Sequence, residues 1–293
     1  MATTGYRGRF APTPSGPLHR GSLLSAVASY LDARQAGGEW LVRIEDLDPP
    51  REVPGAADTQ LRQLAAHGLH WDGNVCYQSQ RHPAYADAVD QLLSGGHAFH
   101  CTLSRQDLAA LGGRHPGARV AVAPGPDRAV RLSVPEAPLG YEDLLQGPQH
   151  MTLTEDDGAF VIRRRDGLYA YQLACALDDA DSGITHVLRG IDLLPSTFRQ
   201  LHVLDCLGRA RPVYGHLPVL VDRAGDKYSK SAGAAALGDD ASTNLRETLA
   251  QLQLTPPAAL HGAPCEQLLA WAIPRWQHAP LRHQTRLCVP APP

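Results

Sequence analysis

The sequence predicts an α/β fold, a doubly wound parallel sheet that is interrupted by an α+β insertion and followed by helices. Three observations support this prediction. Apolar runs alternate with segments of helical periodicity up to about residue 99. From about residue 100 to 160 the chain becomes rich in Gly, Pro and Arg and contains only short strand-like runs. The strand–helix alternation then resumes, and the 43% of apolar residues suffices for a sizeable core.

The sheet opens on the stretch Arg9–Leu23, RFAPTPSGPLHRGSL. Arg9–Ala11 predicts a short extended segment, and the breakers of PTPSG predict a tight, irregular turn. The breakers then almost stop, and apolar residues recur at helical spacing over Ser22–Ala36. The pattern is therefore strand, loop and helix.

The same signals predict the later elements. In order, they are a strand over 40–45, helices over 57–67 and 83–94, insertion strands over 129–134, 151–153 and 160–162, a helix over 168–177, a strand over 185–190, a helix over 196–207 with Ser196 as N-cap, a last strand over 214–221, and two or three helices after Thr243. These elements predict four regions: the first half of the sheet domain (1–99), the insertion (100–160), the second half (161–236) and a C-terminal helical subdomain (237–293).

Composition excludes several classes of protein. The net charge of −3 argues against a general polyanion binder, so any contact with nucleic acid must come from a local patch. None of the six cysteines is spaced as C-x-x-C, which argues against a zinc ribbon or a thioredoxin-type motif. The start has no apolar signal region and no apolar run reaches membrane-spanning length. We therefore expect a cytoplasmic protein with reduced thiols and no membrane span.

Lysine usage points to one loop. Only two of the 27 basic residues are lysines, Lys227 and Lys230, and both lie in KYSKS. GC-rich coding explains a general replacement of Lys by Arg, so the two exceptions indicate a need for the compact ammonium group. Together with Ser229 they suit a triphosphate and the charge that develops on a leaving pyrophosphate. The alternative is an ordinary solvated loop. Neither G-x-x-x-x-G-K-[ST] nor G-x-G-x-x-G is present.

A second candidate phosphate site lies at the start of the helix over 22–36. A helix N-terminus offers unpaired N–H groups and a partial positive charge, which suit an anion. His19 stands where this helix begins and can donate a hydrogen bond to a phosphate oxygen. The alternative is that His19 is merely solvated or caps the helix.

Charged residues also fall at the predicted carboxyl ends of strands, where open α/β sheets bind ligands. They are Arg9, Glu45, Arg189 and Asp192. Two guanidinium groups and one carboxylate suit a ligand with two carboxylates and one ammonium, such as glutamate or aspartate. The alternative is that Arg9, Glu45 and Arg189 form ordinary surface ion pairs.

Taken in order, four stretches resemble the glutamyl/glutaminyl group of class I aminoacyl-tRNA synthetases. They are RFAPTPSGPLHRGSL, WLVRIEDLDPPR, HVLRGIDLL and KYSKS. Within them HRGS, at 19–22, matches the HIGH-type signature, and KYSKS matches KMSKS. The resemblance covers about residues 7–235 and implies a Rossmann-like doubly wound sheet split by an acceptor-binding insertion.

By matching position, the resemblance implies a reaction and two sets of site residues. The reaction joins the α-carboxylate of glutamate to ATP, with Mg²⁺ as charge compensation, and gives glutamyl-adenylate and pyrophosphate. The residues implied for glutamate are Arg9, Phe10, Ala11, Pro12, Thr13, Glu45, Tyr171 and Arg189. Those implied for ATP are His19, Gly21, Ser22, Lys227, Ser229 and Lys230, with His19, Lys227 and Lys230 as the catalytic residues.

A truncated group within this family is the most similar. About 60 residues follow KYSKS, too few for a complete anticodon-binding domain, and EVPGAADTQLRQL, GLHWDG and YQSQRH strengthen the similarity. Members of this group activate glutamate without tRNA and attach it to the queuosine base in the anticodon of tRNA(Asp). The implied partners are L-glutamate, ATP and queuosine-containing tRNA(Asp), and we expect a monomer. The cationic candidates for RNA contact are Arg114, Arg119, Arg128, Arg163, Arg164 and Arg165.

Two alternatives remain: an enzyme of the same family that charges a tRNA 3′ end, and a catalytically silent module that binds tRNA or nucleotide. The sequence also departs from the family at two places. Arg20 replaces the usual apolar second residue of the HIGH-type signature. At the four positions of the family's zinc site stand Cys101, Leu103, His115 and Arg119. Leu and Arg cannot ligate zinc, so we expect no bound zinc.

Overall fold

The computed structural model describes residues 5–156, 158–222 and 237–288. Its strands are β1 (Arg7–Phe10), β2 (Glu39–Ile44), β3 (Cys76–Tyr77), β4 (Ala98–Cys101), β5 (Ala129–Leu132), β6 (Leu139–Asp143), β7 (Gly147–Met151), β8 (Phe160–Arg163), β9 (His186–Gly190), β10 (Val213–Leu217), β11 (Val219–Val221) and β12 (Arg286–Cys288). Its α-helices are α1 (Arg20–Gln35), α2 (Ala56–Ala66), α3 (His82–Ser94), α4 (Arg105–Ala110), α5 (Tyr171–Asp181), α6 (Leu194–Cys206), α7 (Ala241–Gln251) and α8 (Cys265–Ala272). None of the helices within these ranges has the length and apolar character needed to cross a membrane.

The central sheet is parallel except at one edge. Strand β1 pairs with β2 and β2 with β3, while β10 lies between β9 and β6, and β7 closes that edge antiparallel to β6. The Thr185 amide, just before β9, donates to the Arg7 carbonyl of β1 at 2.9 Å, so β9 lies beside β1. The carboxyl ends of β1, β2 and β9 therefore meet in the middle of the sheet. This is the position at which doubly wound sheets bind ligands.

Helices cover both faces of this sheet, as a parallel sheet requires. On one face α1, α7 and α8 bury a core that contains Trp40 and Trp276, both at most 1% exposed. On the other face α3, α5 and α6 pack in a second core that contains Tyr85 and Phe198. The predicted α/β fold is confirmed.

Within 100–160 the chain forms two separate structures. Strand β5 pairs antiparallel with β4 and β8 in a small sheet of its own. The hairpin of β6 and β7 instead extends the central sheet, because β6 pairs with β10 through Tyr214 and Asp143. The residues of this hairpin therefore lie beside the second half of the sheet domain.

Several predicted boundaries differ from the observed ones. Helix α5 begins at Tyr171, not at Leu168, because the preceding residues turn back against β8 and the Ala170 amide donates to Ile162. The strand predicted over 214–221 is two strands, because Pro218 has no N–H to continue the ladder. Ser196 lies inside α6, whose N-cap is Leu193.

Two strand predictions also change. The strand predicted over 151–153 is β7, which begins at Gly147 and ends at Met151. The C-terminal region, predicted to be helical, contains a strand as well: β12 pairs parallel with β11. A three-residue strand is too short to give a periodicity in the sequence, so only its partner strand reveals it.

Candidate active site

An open cavity of about 530 Å³ lies at the carboxyl ends of β1, β2 and β9 and at the N-terminus of α1. Its wall includes every residue implied for glutamate and all those implied for ATP that the structure describes. The lining residues among them are Arg9, Phe10, Ala11, Pro12, Thr13, His19, Gly21, Ser22, Glu45, Tyr171 and Arg189. The structure thus brings together residues that are up to 180 positions apart in the chain.

Helix α2 holds the proline-rich loop that forms one wall. The Gln60 amide group, 1% exposed, donates to the carbonyl oxygens of Thr13 at 2.9 Å and Gly16 at 2.7 Å. The Gln63 side-chain oxygen accepts from the Leu18 amide at 2.8 Å. These contacts satisfy backbone groups that an irregular loop leaves without ladder partners. They fix the path of the chain into α1.

His19 is the N-cap of α1. Its Nδ1 accepts from the Ser22 amide at 3.3 Å, so the proton of the neutral imidazole is on Nε2. A neutral His19 is then a hydrogen-bond donor at Nε2, beside a helix N-terminus that favours negative charge. Capping and donation to an anion are therefore compatible roles for this side chain.

Arg9 is paired with a carboxylate below the cavity. Its Nε and Nη2 donate to the two oxygens of Asp179 at 3.1 and 3.0 Å, a buried bidentate pair. Burial alone would raise the pKa of Asp179, but the charges of Arg43 and Arg9 lower it well below its ordinary value. The Nη1 of Arg9 has no hydrogen-bond partner among the residues that the structure describes, and Arg9 lines the cavity.

Arg43 connects Asp179 to Glu45. Its Nη1 donates to Asp179 at 2.5 Å and its Nη2 to Glu45 Oε1 at 3.1 Å. Burial raises the pKa of the Glu45 carboxyl, and the charges of Arg43 and Arg9 offset only part of that rise. One Glu45 oxygen is thus held by Arg43, and the carboxylate lines the cavity.

Arg189 differs from Arg9 and Arg43 because no carboxylate in the described part of the chain pairs with it. It is 4% exposed, and its neutral partners include Thr197 Oγ1 at 2.7 Å and His216 Nε2 at 3.3 Å. Its Nη1 donates to the Tyr171 hydroxyl at a long 3.5 Å. Its guanidinium also lies over the Tyr214 ring, with Cζ 5.1 Å from the ring centroid. A buried cation without a counter-ion is costly, and a bound carboxylate would supply one.

The alternative of surface ion pairs is wrong. Arg9 and Arg189 are each 4% exposed, and the Glu45 side chain is 10% exposed. None of the three pairs with another of the three, because Arg9 binds Asp179 and Glu45 binds Arg43. Sequence reasoning missed Arg43 and Asp179. The signal for Asp179 was available, since two adjacent carboxylates stand within the otherwise apolar run of α5.

Three predicted site residues, Lys227, Ser229 and Lys230, lie outside the described residues. Asp192 lines the cavity near Arg189. Arg20, the departure in the HIGH-type signature, forms an ion pair at 3.0 Å with Glu247 of α7. Its side chain is 21% exposed, so it lies against the C-terminal region and not in the cavity lining.

The positions of the family's zinc site do not fit zinc. Cys101 Sγ lies 3.2 Å from His115 Nε2, but Leu103 packs in the small core with Phe99, and the Arg119 guanidinium donates to the Pro116 carbonyl. Burial and the charge of Arg131 lower the pKa of His115 to about 4. Within the described ranges no third His, Cys, Asp or Glu joins this pair. Two ligands do not make a tetrahedral site.

Comparison with known proteins identifies the family of this chain. The family described as tRNA synthetases class I (E and Q), catalytic domain, matches residues 6–121 and 118–245. The chain belongs to this family. The fold is accordingly the Rossmann-like fold of class I synthetases, and such enzymes are ligases that use ATP.

Curated relatives in the family match over nearly their whole length. One is 51% identical over 276 residues, 94% of this chain and 94% of the relative, and is called Glutamyl-Q tRNA(Asp) synthetase from Pseudomonas aeruginosa strain PAO1. A relative of the same name from Chromobacterium violaceum is 50% identical over 287 residues, 94% of this chain and 95% of the relative.

A solved structure in the family also resembles this chain. It is a glutamate tRNA ligase from Elizabethkingia meningosepticum, crystallised in complex with its amino acid. The TM-score is 0.70 at 27% identity, over 78% of this chain and 52% of that one. The chain therefore spans about half the length of this class I synthetase.

Proposed function

We propose that this protein activates L-glutamate with ATP, without tRNA, and transfers the glutamyl group to the queuosine base in the anticodon of tRNA(Asp). The name shared by relatives at about 50% identity over 94% of the chain supports the overall reaction. The observation that carries the amino-acid assignment is the cavity itself. It combines a buried arginine that lacks a carboxylate partner in the described structure, Arg189, with a carboxylate, Glu45.

Glutamate fits the charges of this cavity. Its ammonium group pairs with Glu45, and one carboxylate supplies the counter-ion for Arg189. The α-carboxylate has to reach the phosphate at the N-terminus of α1, so the side-chain carboxylate is left for the arginines at the sheet. Glutamine would place a neutral amide there and leave a buried guanidinium under-paired, which costs about 1–3 kcal/mol or more for a charged group.

ATP is expected at the other end of the cavity. The first turn of α1 offers backbone N–H groups, and the Nε2–H of neutral His19 is a further donor at the same place. Lys227, Ser229 and Lys230 are expected to bind the phosphates as well. Magnesium is expected to arrive as the complex of ATP, because Mg²⁺ is usually bound through the phosphates of the substrate.

The chemistry needs positioning and charge stabilisation and no covalent enzyme intermediate. An α-carboxylate oxygen attacks the α-phosphorus, the bond to the bridging oxygen breaks, and pyrophosphate leaves. A hydroxyl of the queuosine base then attacks the acyl carbon of glutamyl-adenylate. AMP leaves, and the hydroxyl proton is released. Each step conserves atoms and charge without an oxidant or reductant.

Pyrophosphate exchange that depends on glutamate and ATP tests activation and separates an enzyme from a silent binding module. We expect exchange with glutamate in the absence of tRNA, and much slower exchange with glutamine as the matched control. No exchange above background with either amino acid would support the silent module.

The acceptor is tested with tRNA(Asp) that contains queuosine and whose 3′ end has been oxidised with periodate before the reaction. Periodate would also cleave the cis-diol of queuosine, so the 3′ end is oxidised while the anticodon still carries guanine, and the queuosine base is exchanged into the tRNA enzymatically afterwards. We expect oxidised tRNA(Asp) to accept glutamate, and tRNA(Asp) without queuosine to accept none. If only tRNA with an intact 3′ end is charged, the protein is a 3′-end synthetase.

RNA contact is proposed for the basic residues predicted from the sequence. Arg114, Arg119, Arg164 and Arg165 are exposed. Arg164 already pairs with Asp166 and Asp48, both within 3.7 Å, and is therefore a weaker candidate than Arg114. A flexible anticodon loop is read through unstacked bases, which needs few charges.

A further inference from the structure

A buried acid–histidine pair lies directly behind Arg189. Strand β10 places His216 opposite Arg189 of β9, and β6 on its other side ends at Asp143. His216 Nδ1 lies 2.5 Å from Asp143 Oδ2, and both side chains are fully buried. Neither residue lines the cavity.

The hydrogen bonds define the tautomer of His216. Arg189 has only donors, so its Nε–H, 3.3 Å away, requires His216 Nε2 to be an acceptor. The Thr197 hydroxyl lies 3.0 Å from the same nitrogen and can donate to it. The proton of the neutral ring is then on Nδ1 and is donated to Asp143. Burial and the charge of Arg189 lower the pKa of His216, although its hydrogen bond to Asp143 acts in the opposite direction. The lowered pKa keeps the ring neutral.

Asp143 is itself held in place on all sides. Its Oδ1 accepts from the backbone amides of Leu145, Gln146 and His216 at 3.0–3.1 Å, and its Oδ2 accepts from the His216 ring. Burial alone would raise the pKa of Asp143, but the hydrogen bond from His216 and the two turn amides lower it below its ordinary value. The pair is therefore an ionised carboxylate and a neutral imidazole of one tautomer.

The consequence concerns the guanidinium of Arg189. The Nε–H of Arg189 donates to His216 and its Nη2 donates to Thr197, so the rotation of the planar guanidinium is determined. In the described structure Nη1 makes only the long contact with Tyr171 and therefore has the least engaged donors. An orienting partner of this kind fixes a side chain without touching the ligand, as a carboxylate does when it holds the far nitrogen of a metal-bound histidine.

We propose that Asp143 and His216 are positioning residues for the amino-acid substrate: Asp143 holds His216 in the Nδ1–H tautomer, and His216 orients Arg189 toward the substrate carboxylate. The inference rests on the proposed function, since it assigns Arg189 to the amino acid. It also gives the β6–β7 hairpin, which belongs to the sequence range of the insertion, a part in amino-acid binding.

Asp143→Asn is the sharpest test because it is isosteric. The new amide side chain keeps an oxygen for the three backbone amides, so its NH₂ group must face His216 Nδ1. His216 Nδ1 must then accept, so the ring proton moves to Nε2. There it faces the Nε–H of Arg189, and two donors cannot form a hydrogen bond. We expect the KM for glutamate to rise about 10- to 100-fold, the size found when an orienting partner of a metal-bound histidine is lost. The KM for ATP and the kcat should change less than about twofold, because the lost contact acts in substrate binding.

His216→Gln is the matched variant. The Gln oxygen can accept from Arg189 at the position of Nε2 whatever residue 143 is. In His216→Gln we expect a smaller rise in the KM for glutamate than in Asp143→Asn. In the double variant with both substitutions, we expect nearly the same KM for glutamate as in His216→Gln alone. His216→Asn, which can bond Asp143 but cannot reach Arg189, should behave like Asp143→Asn. Unchanged glutamate KM in Asp143→Asn, or losses that multiply in the double variant, would refute the proposal.

Nitrogen-15 NMR of histidine-labelled protein reads the tautomer directly, with His216→Gln identifying the signal. We expect the Nδ1–H form in the wild type and the Nε2–H form in Asp143→Asn. An Nε2–H ring in the wild type would overturn the assignment even if Asp143→Asn does not fold. Failure of the proposed function looks different, because wild-type protein would then show the Nδ1–H ring and no glutamate-dependent exchange.

Discussion

The roles of the charged residues in the cavity depend on which of them already have a counter-ion within the protein. Arg9 and Arg43 share Asp179, so their charge is largely compensated within the protein. Arg189 has only neutral partners among the described residues, so the need for a ligand carboxylate is concentrated there. A buried charge that lacks a partner is destabilising, which ties substrate binding to the stability of the site.

Glu45 should give the activity a dependence on pH. Burial raises the pKa of its carboxyl, and only the ionised form can hold the ammonium of glutamate. As the pH falls through this raised pKa, kcat/KM for glutamate should fall, beginning above the ordinary value of about 4.3. Pyrophosphate exchange between about pH 4 and 8 measures this, since kcat/KM reports the groups of the free enzyme.

The role of Glu45 is tested with Glu45→Gln, and the same substitution at Glu39 serves as the control. Glu45→Gln should raise the KM for glutamate and remove this acidic limb of the profile. Glu39→Gln, at an exposed ion pair with Arg7, should leave the profile as it is. An unchanged profile in Glu45→Gln would show that another group carries the pH dependence.

Lys230 is the second residue whose substitution should change the rate of glutamate activation. Lys230→Ala should lower glutamate activation by about 100-fold or more, as the loss of one transition-state donor does. Lys230→Arg should also be poor, because a planar fork does not replace a compact ammonium. Steady-state exchange rates measure both. Arg62→Ala, at an exposed position of α2, is the control, and near-wild-type rates in both Lys230 variants would contradict the assignment.

Among the elements, α2 and the insertion stabilise their loops by different interactions, hydrogen bonds in the first case and apolar packing in the second. The loop over 12–18 is held by hydrogen bonds that the buried Gln60 donates and by one that Gln63 accepts. The corresponding support in the insertion is apolar, with Leu103 packed against a core of Phe99, Cys101 and Ala159. In the described structure Leu103 thus packs where one of the family's zinc ligands would stand.

The insertion should therefore need no metal. We expect metal analysis of purified, tag-free protein to find far less than one zinc per chain, because Leu and Arg occupy two of the four ligand positions. Leu103→Cys combined with Arg119→Cys supplies four ligands at these positions, three Cys and one His, and serves as the comparison; it should retain more zinc. One zinc per chain in the wild type would show that the prediction is wrong.

At the scale of the whole molecule, Asp32 joins three distant parts of the chain. It lies in α1, is 7% exposed, and accepts from Tyr6, from Trp276 Nε1 at 2.7 Å and from His278 Nε2 at 2.6 Å. Arg20 and Glu247 add a second contact between α1 and the C-terminal region. These contacts make that region part of the support for the helix whose N-terminus lines the cavity.

Asp32→Ala should reduce the free energy of unfolding by about 3–5 kcal/mol, because it leaves buried donors without an acceptor. Burial alone would raise the pKa of Asp32, but the hydrogen bonds from His278 and Tyr6 lower it below its ordinary value. Its contribution is therefore present above the ordinary carboxyl pKa of about 3.9 and is lost as the pH falls through the lowered value.

Urea unfolding measures the effect of Asp32→Ala, and hydrogen exchange shows where it acts. Exchange in residues 265–288 should accelerate more than in α3, which packs on the opposite face of the sheet. Asp90→Ala, at an exposed position of α3, should stay within about 0.5 kcal/mol of the wild type. Equal losses in the two variants would contradict the role of Asp32.

The sequence by itself determined the fold class, the order of the main elements and most of the residues that line the cavity. A parallel sheet collects the carboxyl ends of its strands at one edge, so a residue's place at that end of a strand suffices to predict Arg9, Glu45 and Arg189. The other predicted lining residues followed from the family resemblance. Local breakers and periodicity likewise located the loop and helix that begin at 12–20.

Only the tertiary structure decided which charges are already paired and which residue orients which. Arg9 and Asp179 are 170 positions apart, and His216 lies behind Arg189 because β10 is the neighbour of β9. No local pattern encodes such partners, since they depend on the order of strands and on burial. For the same reason β12 and the place of the β6–β7 hairpin could not be predicted, because short strands are specified by the edge they meet and not by their own residues.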